Sequence, residues 1–281
     1  MISSLTFTLI ELLTIIFFLT IIITFILSNK PLNSKNIKIS GVSIGIVFSW
    51  FGTFILGTPD LLPSFNSSEI VILTVFLLFL GLFLDLNPNF SKIFVWIVIL
   101  IAGTTITTWM INKVDFYSLF FLIIWLTLQI KLKKRPTSTN ITISPTDLII
   151  IFISIGLGLN AWINNMFVDR DLAFGLSSIY LAFYFCSRIP WNISTGYCNT
   201  LIGGGVIIMI IIRLLDQYPN LLLSILLLGF IMFIDQNIIY LSKKYRICNT
   251  MPYLINFTIL ATIPVALSIL TATIASKLTI G

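Results

Sequence analysis

The feature that most constrains this chain is a succession of apolar runs, about ten of them, each close to the length a helix needs to cross a hydrocarbon core. That length is about 20 residues. The runs lie near 5–28, 41–58, 69–86, 92–111, 115–131, 146–163, 172–187, 197–214, 219–241 and 253–276. Every connection between them is shorter than one small folded unit. The expected fold is therefore all-α: a polytopic membrane protein of about ten transmembrane helices, with residues 1–281 forming a single integral membrane domain. Composition agrees, with 58% hydrophobic residues, 9% charged residues and a mean hydropathy of +1.08. A soluble domain carries roughly 25% charged residues. The deficit excludes an ordinary soluble enzyme, a disordered chain and a secreted disulfide scaffold. The first run has no basic leader and is interrupted by Glu11, so it reads as a retained helix.

The few charges set an orientation. Lys30, Lys35 and Lys38 follow the first run, Lys92 the third, and Lys131, Lys133, Lys134 and Arg135 the fifth. Arg188 follows the seventh run, and Lys243, Lys244 and Arg246 the ninth. All these connections share one parity, so the positive-inside rule makes them cytoplasmic and puts both termini on the outer side. The opposite connections hold Asp60, Lys113, Asp115, Asp169, Arg170, Asp171 and Asp216. The expected setting is the inner (plasma) membrane, with the lipid bilayer as partner. The net charge of +6 serves topology, and no nucleic-acid partner is expected. The chain has no His, which excludes imidazole ligands and a His base. Cys186, Cys198 and Cys248 lack metal-ligand spacing and read as free thiols.

Carboxylates at the ends of apolar runs are costly and each needs a reason. Asp85 closes the third run in Gly81-Leu82-Phe83-Leu84-Asp85-Leu86-Asn87-Pro88, and Asp235 lies within the ninth. Each has a plain reading as well, a helix-end charge for Asp85 and an interhelical hydrogen bond for Asp235. Asn160, Asn164, Asn165, Asp169, Arg170 and Asp171 form a further polar cluster. Its position on the outer face argues for a polar turn over a diphosphate site.

The cytoplasmic connections carry a resemblance. Lys30-Pro31 followed by Ile37 to Val42, the stretch from Gly81 to Pro88 with Lys92, Pro190 with Gly196, and Leu226 to Gly229 with Asp235 and Lys243-Lys244 are the residues concerned. Together with about ten helices and outside termini, they resemble the polyprenyl-phosphate N-acetylhexosamine-1-phosphate transferases, which include the phospho-MurNAc-pentapeptide transferase. The resemblance implies an active site at the cytoplasmic loops, with Asp85 as catalytic residue and Lys30, Lys92, Asp235 and Gly196 contacting substrate. It also implies magnesium (Mg2+) in an active member.

The departures are specific. The paired Asp of the family's third-helix segment is Leu84 here, and its metal-binding Asp after the seventh helix is Tyr197. The Asp-rich loop after the fifth helix is replaced by Lys131-Leu132-Lys133-Lys134-Arg135-Pro136-Thr137, and the final His cluster is absent. Magnesium takes oxygen ligands, usually carboxylates, and phosphosugar transfer needs its charge. The resemblance, so depleted, implies no metal site and no cofactor. It describes a degenerate relative: a non-catalytic subunit or lipid-carrier-binding protein in envelope glycan synthesis. Its partners would be polyprenyl phosphate, another membrane protein or a second copy. The alternatives are an active phospho-N-acetylhexosamine transferase and, from another class, a small transporter or channel.

Overall fold

The computed structural model describes residues 2–28, 41–57, 69–87, 89–111, 116–133, 145–188, 196–238 and 253–280. These residues form helices only. In chain order they are α1 (Ile2–Ser28), α2 (Val42–Leu56), α3 (Glu69–Leu86), α4 (Lys92–Ile111), α5 (Phe116–Lys133), α6 (Pro145–Ile163), α7 (Phe167–Arg188) and α8 (Tyr197–Gln217). A composite rod follows, in which a 3-10 turn (Pro219–Leu221) leads into α9 (Leu222–Gly229) and a second 3-10 turn (Phe230–Phe233). The last helix is α10 (Tyr253–Ile280). Lys30, Lys35, Lys38, Asp60, Lys113, Asp115, Lys134, Arg135, Lys243, Lys244, Arg246 and Cys248 lie outside the described residues.

Local chemistry sets the described boundaries. Pro145 opens α6, where its missing N–H has no intrahelical partner to lose. Gly57 ends α2 at φ 83°, and its N–H returns to the Thr53 carbonyl at 3.0 Å. Asn165, at φ 60°, turns α6 into α7, as an Asn tolerates better than most residues. Pro219 heads the turn that separates α8 from the rod. Inside the apolar helices, hydroxyls stay satisfied by bonding back one turn, as Thr20 does to Ile16 and Thr74 to Ile70.

Among the described residues, seven helical segments are long and apolar enough to cross a membrane: Leu9–Ser28, Glu69–Leu86, Lys92–Ile111, Thr146–Ile163, Tyr197–Gln217, Pro219–Ile238 and Tyr253–Lys277. Two shorter apolar helices, Val42–Leu56 and Ser118–Leu132, accompany them. α7 differs in kind. It buries Asp169 and Arg170 along with Leu172, Leu176 and Phe183, so these two charges sit inside the bundle. α7 packs against α1, α2, α6 and α8, while α8 packs against α2, α3, α4, α5 and α6. These two are the central pair, and α9 and α10 pair with each other beside α6. Large side chains elsewhere point outward, including Ile93 at 74% exposure and Phe54 at 66%. A water-facing surface of that kind would aggregate; facing lipid, it carries no such penalty.

Candidate functional site

One group of buried polar side chains, Asp85, Gln129, Asp147 and Asn199, lies around the first turn of α8. A helix start leaves four backbone N–H groups without intrahelical acceptors, and at Cys198 and Asn199 the start of α8 is buried in the protein, away from water. Asp85, at the end of α3, supplies the acceptors. Its Oδ1 takes the N–H of Tyr197 at 2.6 Å and its Oδ2 the N–H of Cys198 at 3.0 Å. The carboxylate is 8% exposed and 112 residues away in sequence from the nearer amide it caps. Gly196 precedes the helix with extended backbone, and a Cβ there would strike the Asp85 carboxyl group. The resemblance singled out Asp85 and Gly196; the fold brings them together as a helix cap and the gap that admits it.

Three further helices fix the same turn. Asn199 donates from Nδ2 to Asp147 Oδ1 on α6 at 2.7 Å, and both residues are fully buried. The Tyr180 hydroxyl of α7 donates to the Asn199 carbonyl at 2.5 Å. Gln129 of α5 donates from Nε2 to the Thr200 carbonyl at 3.1 Å. Glycines 203–205 let these neighbours approach. A Cβ at Gly203 would meet the Tyr180 hydroxyl, one at Gly204 the Gln129 amide, and one at Gly205 the Leu77 side chain of α3. Each glycine thus faces a different helix.

The other expected residues sit apart from this turn. Asp235, in the helical stretch after the second 3-10 turn, accepts from the Tyr253 hydroxyl of α10 at 2.6 Å. Lys92 is exposed at the start of α4. Lys131 places its ammonium 4.0 Å from the Phe233 ring centroid. Arg188 bonds the Tyr184 hydroxyl. Lys30 is outside the described residues. Sequence reasoning missed Asp147, whose signal was an Asp two residues after the Pro that opens an apolar run.

The Asn/Asp cluster at the opposite end divides into separate structural roles. Asn160 donates to Ser268 of α10 at 2.9 Å, and Asn164 donates back to the Asn160 carbonyl. Asp169 pairs with Arg213 of α8 at 2.6 Å, and Arg170 with Asp171 at 2.7 Å.

The acids that the resemblance singled out have structural partners: each Asp85 oxygen accepts a backbone amide, and an Asp235 oxygen accepts the Tyr253 hydroxyl. No group of three or more His, Cys, Asp or Glu among the described residues is arranged to hold a metal. Cys186 and Cys198 are free buried thiols. No protein-family model matches this chain, and no curated protein matches it either.

Proposed function

We propose that this chain is a non-catalytic, lipid-carrier-binding protein of the plasma membrane, with about ten membrane-crossing helices and both termini outside. In this reading the Asp85 end faces the cytoplasm and serves envelope glycan synthesis by holding a polyprenyl phosphate. The observation that carries the non-catalytic part is the engagement of Asp85. Each Asp85 oxygen accepts a backbone N–H at the α8 start, which gives the acid a structural use of its own. The resemblance at Gly81 to Pro88 therefore coincides with a structural use of the acid.

Support for the lipid phosphate comes from the placement of cations. Lys92, Lys131 and Arg188 all lie at the end of their helices where Asp85 lies on α3, close to an anionic headgroup layer in this orientation. A Lys or Arg near such a surface contributes about 1 kcal/mol.

Native mass spectrometry of the detergent-purified protein tests the reading, comparing a polyprenyl phosphate with the uncharged polyprenol of equal length. The expected result is retention of the phosphate only, weakened about five-fold by Lys131→Ala or by Lys92→Ala. Equal retention of the two lipids, or of neither, would contradict it.

A further inference from the structure

The capping of α8 leaves one part of its first turn chemically incomplete. Asp147 and Asn199 are joined by a single hydrogen bond, Nδ2 to Oδ1 at 2.7 Å, and both side chains are 0% exposed. The second oxygen of the carboxyl, Oδ2, has no hydrogen-bond partner, and neither has Oδ1 of the amide. The two acceptors without partners thus sit on two side chains that are joined by a hydrogen bond. Buried polar atoms without partners are rare because each keeps its full desolvation penalty.

One donor resolves both. A carboxylic acid and a carboxamide close into a ring of two hydrogen bonds when the acid carries its proton on the oxygen beside the amide carbonyl. We infer that Asp147 and Asn199 form a buried proton-binding site, in which a proton on Asp147 Oδ2 is donated to Asn199 Oδ1. Release of that proton to water leaves a carboxylate held only by the Asn199 amide. A bound metal cation would need several oxygens around it, whereas a proton needs only the one acceptor that this pair supplies.

Among the described residues, the charged and titratable side chains of the surrounding helices make other contacts. On α7, the Tyr180 hydroxyl faces the site and donates to the Asn199 carbonyl, while Arg188 bonds Tyr184. On α8, Cys198 points its thiol at the Leu78 carbonyl. On α5, Lys131 lies over Phe233 and reaches Gln236. Asp235 and Tyr253, on the rod and α10, bond each other. Among the described residues, no ion pair involves Asp147. Ionisable residues buried between membrane helices mark proton relays, among other paths, in membrane proteins. This inference stands independently of the lipid-binding reading.

Infrared difference spectroscopy on the full chain in lipid nanodiscs tests it, comparing wild type with Asp147→Asn at neutral pH. The expected result is one carboxylic-acid C=O band present in wild type and lost in the variant. On titration to alkaline pH, the band should give way to a carboxylate band. Loss of a carboxylate band at neutral pH, with the acid region unchanged, would overturn the proposal. Asp147→Asn should also fold, because its NH2 group can replace the shared proton as donor to Asn199 Oδ1. A variant that does not fold contradicts the proposal. A third arm replaces sodium by choline: thermal stability that depends on sodium in wild type and not in Asp147→Asn would assign the site to a metal cation instead.

Discussion

Two aspartates meet the first turn of α8 and are used in different ways. Asp85 has a backbone donor on each oxygen, so its charge is met by the unpaired end of a helix. Asp147 has one side-chain donor and keeps an oxygen without a partner. Replacement of an N-cap acceptor costs about 0.5–2 kcal/mol, and stranding buried amides adds about 1–3 kcal/mol. Asp85→Ala is therefore expected to lower the thermal midpoint in detergent clearly, and Asp85→Asn, which keeps one acceptor oxygen, to lower it less. Equal midpoints for wild type and Asp85→Ala would remove the capping role. Asp147 carries a different expectation. Asp147→Asn, which keeps a donor for Asn199 Oδ1, should leave the thermal midpoint close to wild type, whereas Asp147→Ala, which leaves Asn199 without a partner, should lower it. Sequence alone made Asp85 conspicuous, because an Asp ending an apolar run must have a use. It left the use open, since the capped amides lie 112 and 113 residues further along the chain. Asp147 stayed hidden for a related reason: its partner Asn199 carries no charge and lies in another run.

At the scale of the element, α8 is shaped by what it must touch. Three glycines in sequence would weaken a solvent-exposed helix. Here they let Tyr180, Gln129 and Leu77 reach the helix backbone from three directions, the close approach that small residues permit between membrane helices. Gly205→Ala should destabilise by about 1–3 kcal/mol through overpacking against Leu77. Adding Leu77→Ala should recover part of that loss, a coupling that a double-mutant cycle on thermal midpoints measures. Strict additivity would show that the two side chains do not compete for the same space. At the far end the Asp169–Arg213 pair ties α7 to α8 with 3% and 18% side-chain exposure. Breaking such a buried pair from one side costs about 3–5 kcal/mol. The glycine run was visible in the sequence; the helices it admits were not, because period and composition carry no information on neighbours. α7 reads as a short span, 172–187, because its charged first turn is polar enough to fall outside an apolar window. In the fold that turn is helical from Phe167 and its Asp169 is paired inside the bundle.

In the whole molecule, helix ends far apart in sequence meet one another. The Asp85 end of α3 meets the starts of α6 and α8, and the Lys131 end of α5 meets the stretch after α9. All-helical architecture and its apolar exterior were legible from the run lengths, which also marked the seven long apolar segments. The orientation across the membrane is a separate expectation, drawn from the parity of the basic connections. It predicts that a membrane-impermeant thiol reagent on intact cells labels Asp216→Cys and spares Ser91→Cys, in a background without the native cysteines. The reverse pattern would turn the protein over.

Asp85 holds the start of α8, and the proposed function gives it no reaction to run. The most direct test is release of UMP by the detergent-purified protein, given polyprenyl phosphate, UDP-N-acetylhexosamines and magnesium. No UMP above background is expected for wild type, with Asp85→Asn indistinguishable from it in this assay and altered only in stability. Magnesium-dependent UMP formation that disappears in a folded Asp85→Asn variant would contradict the proposed function and make Asp85 catalytic.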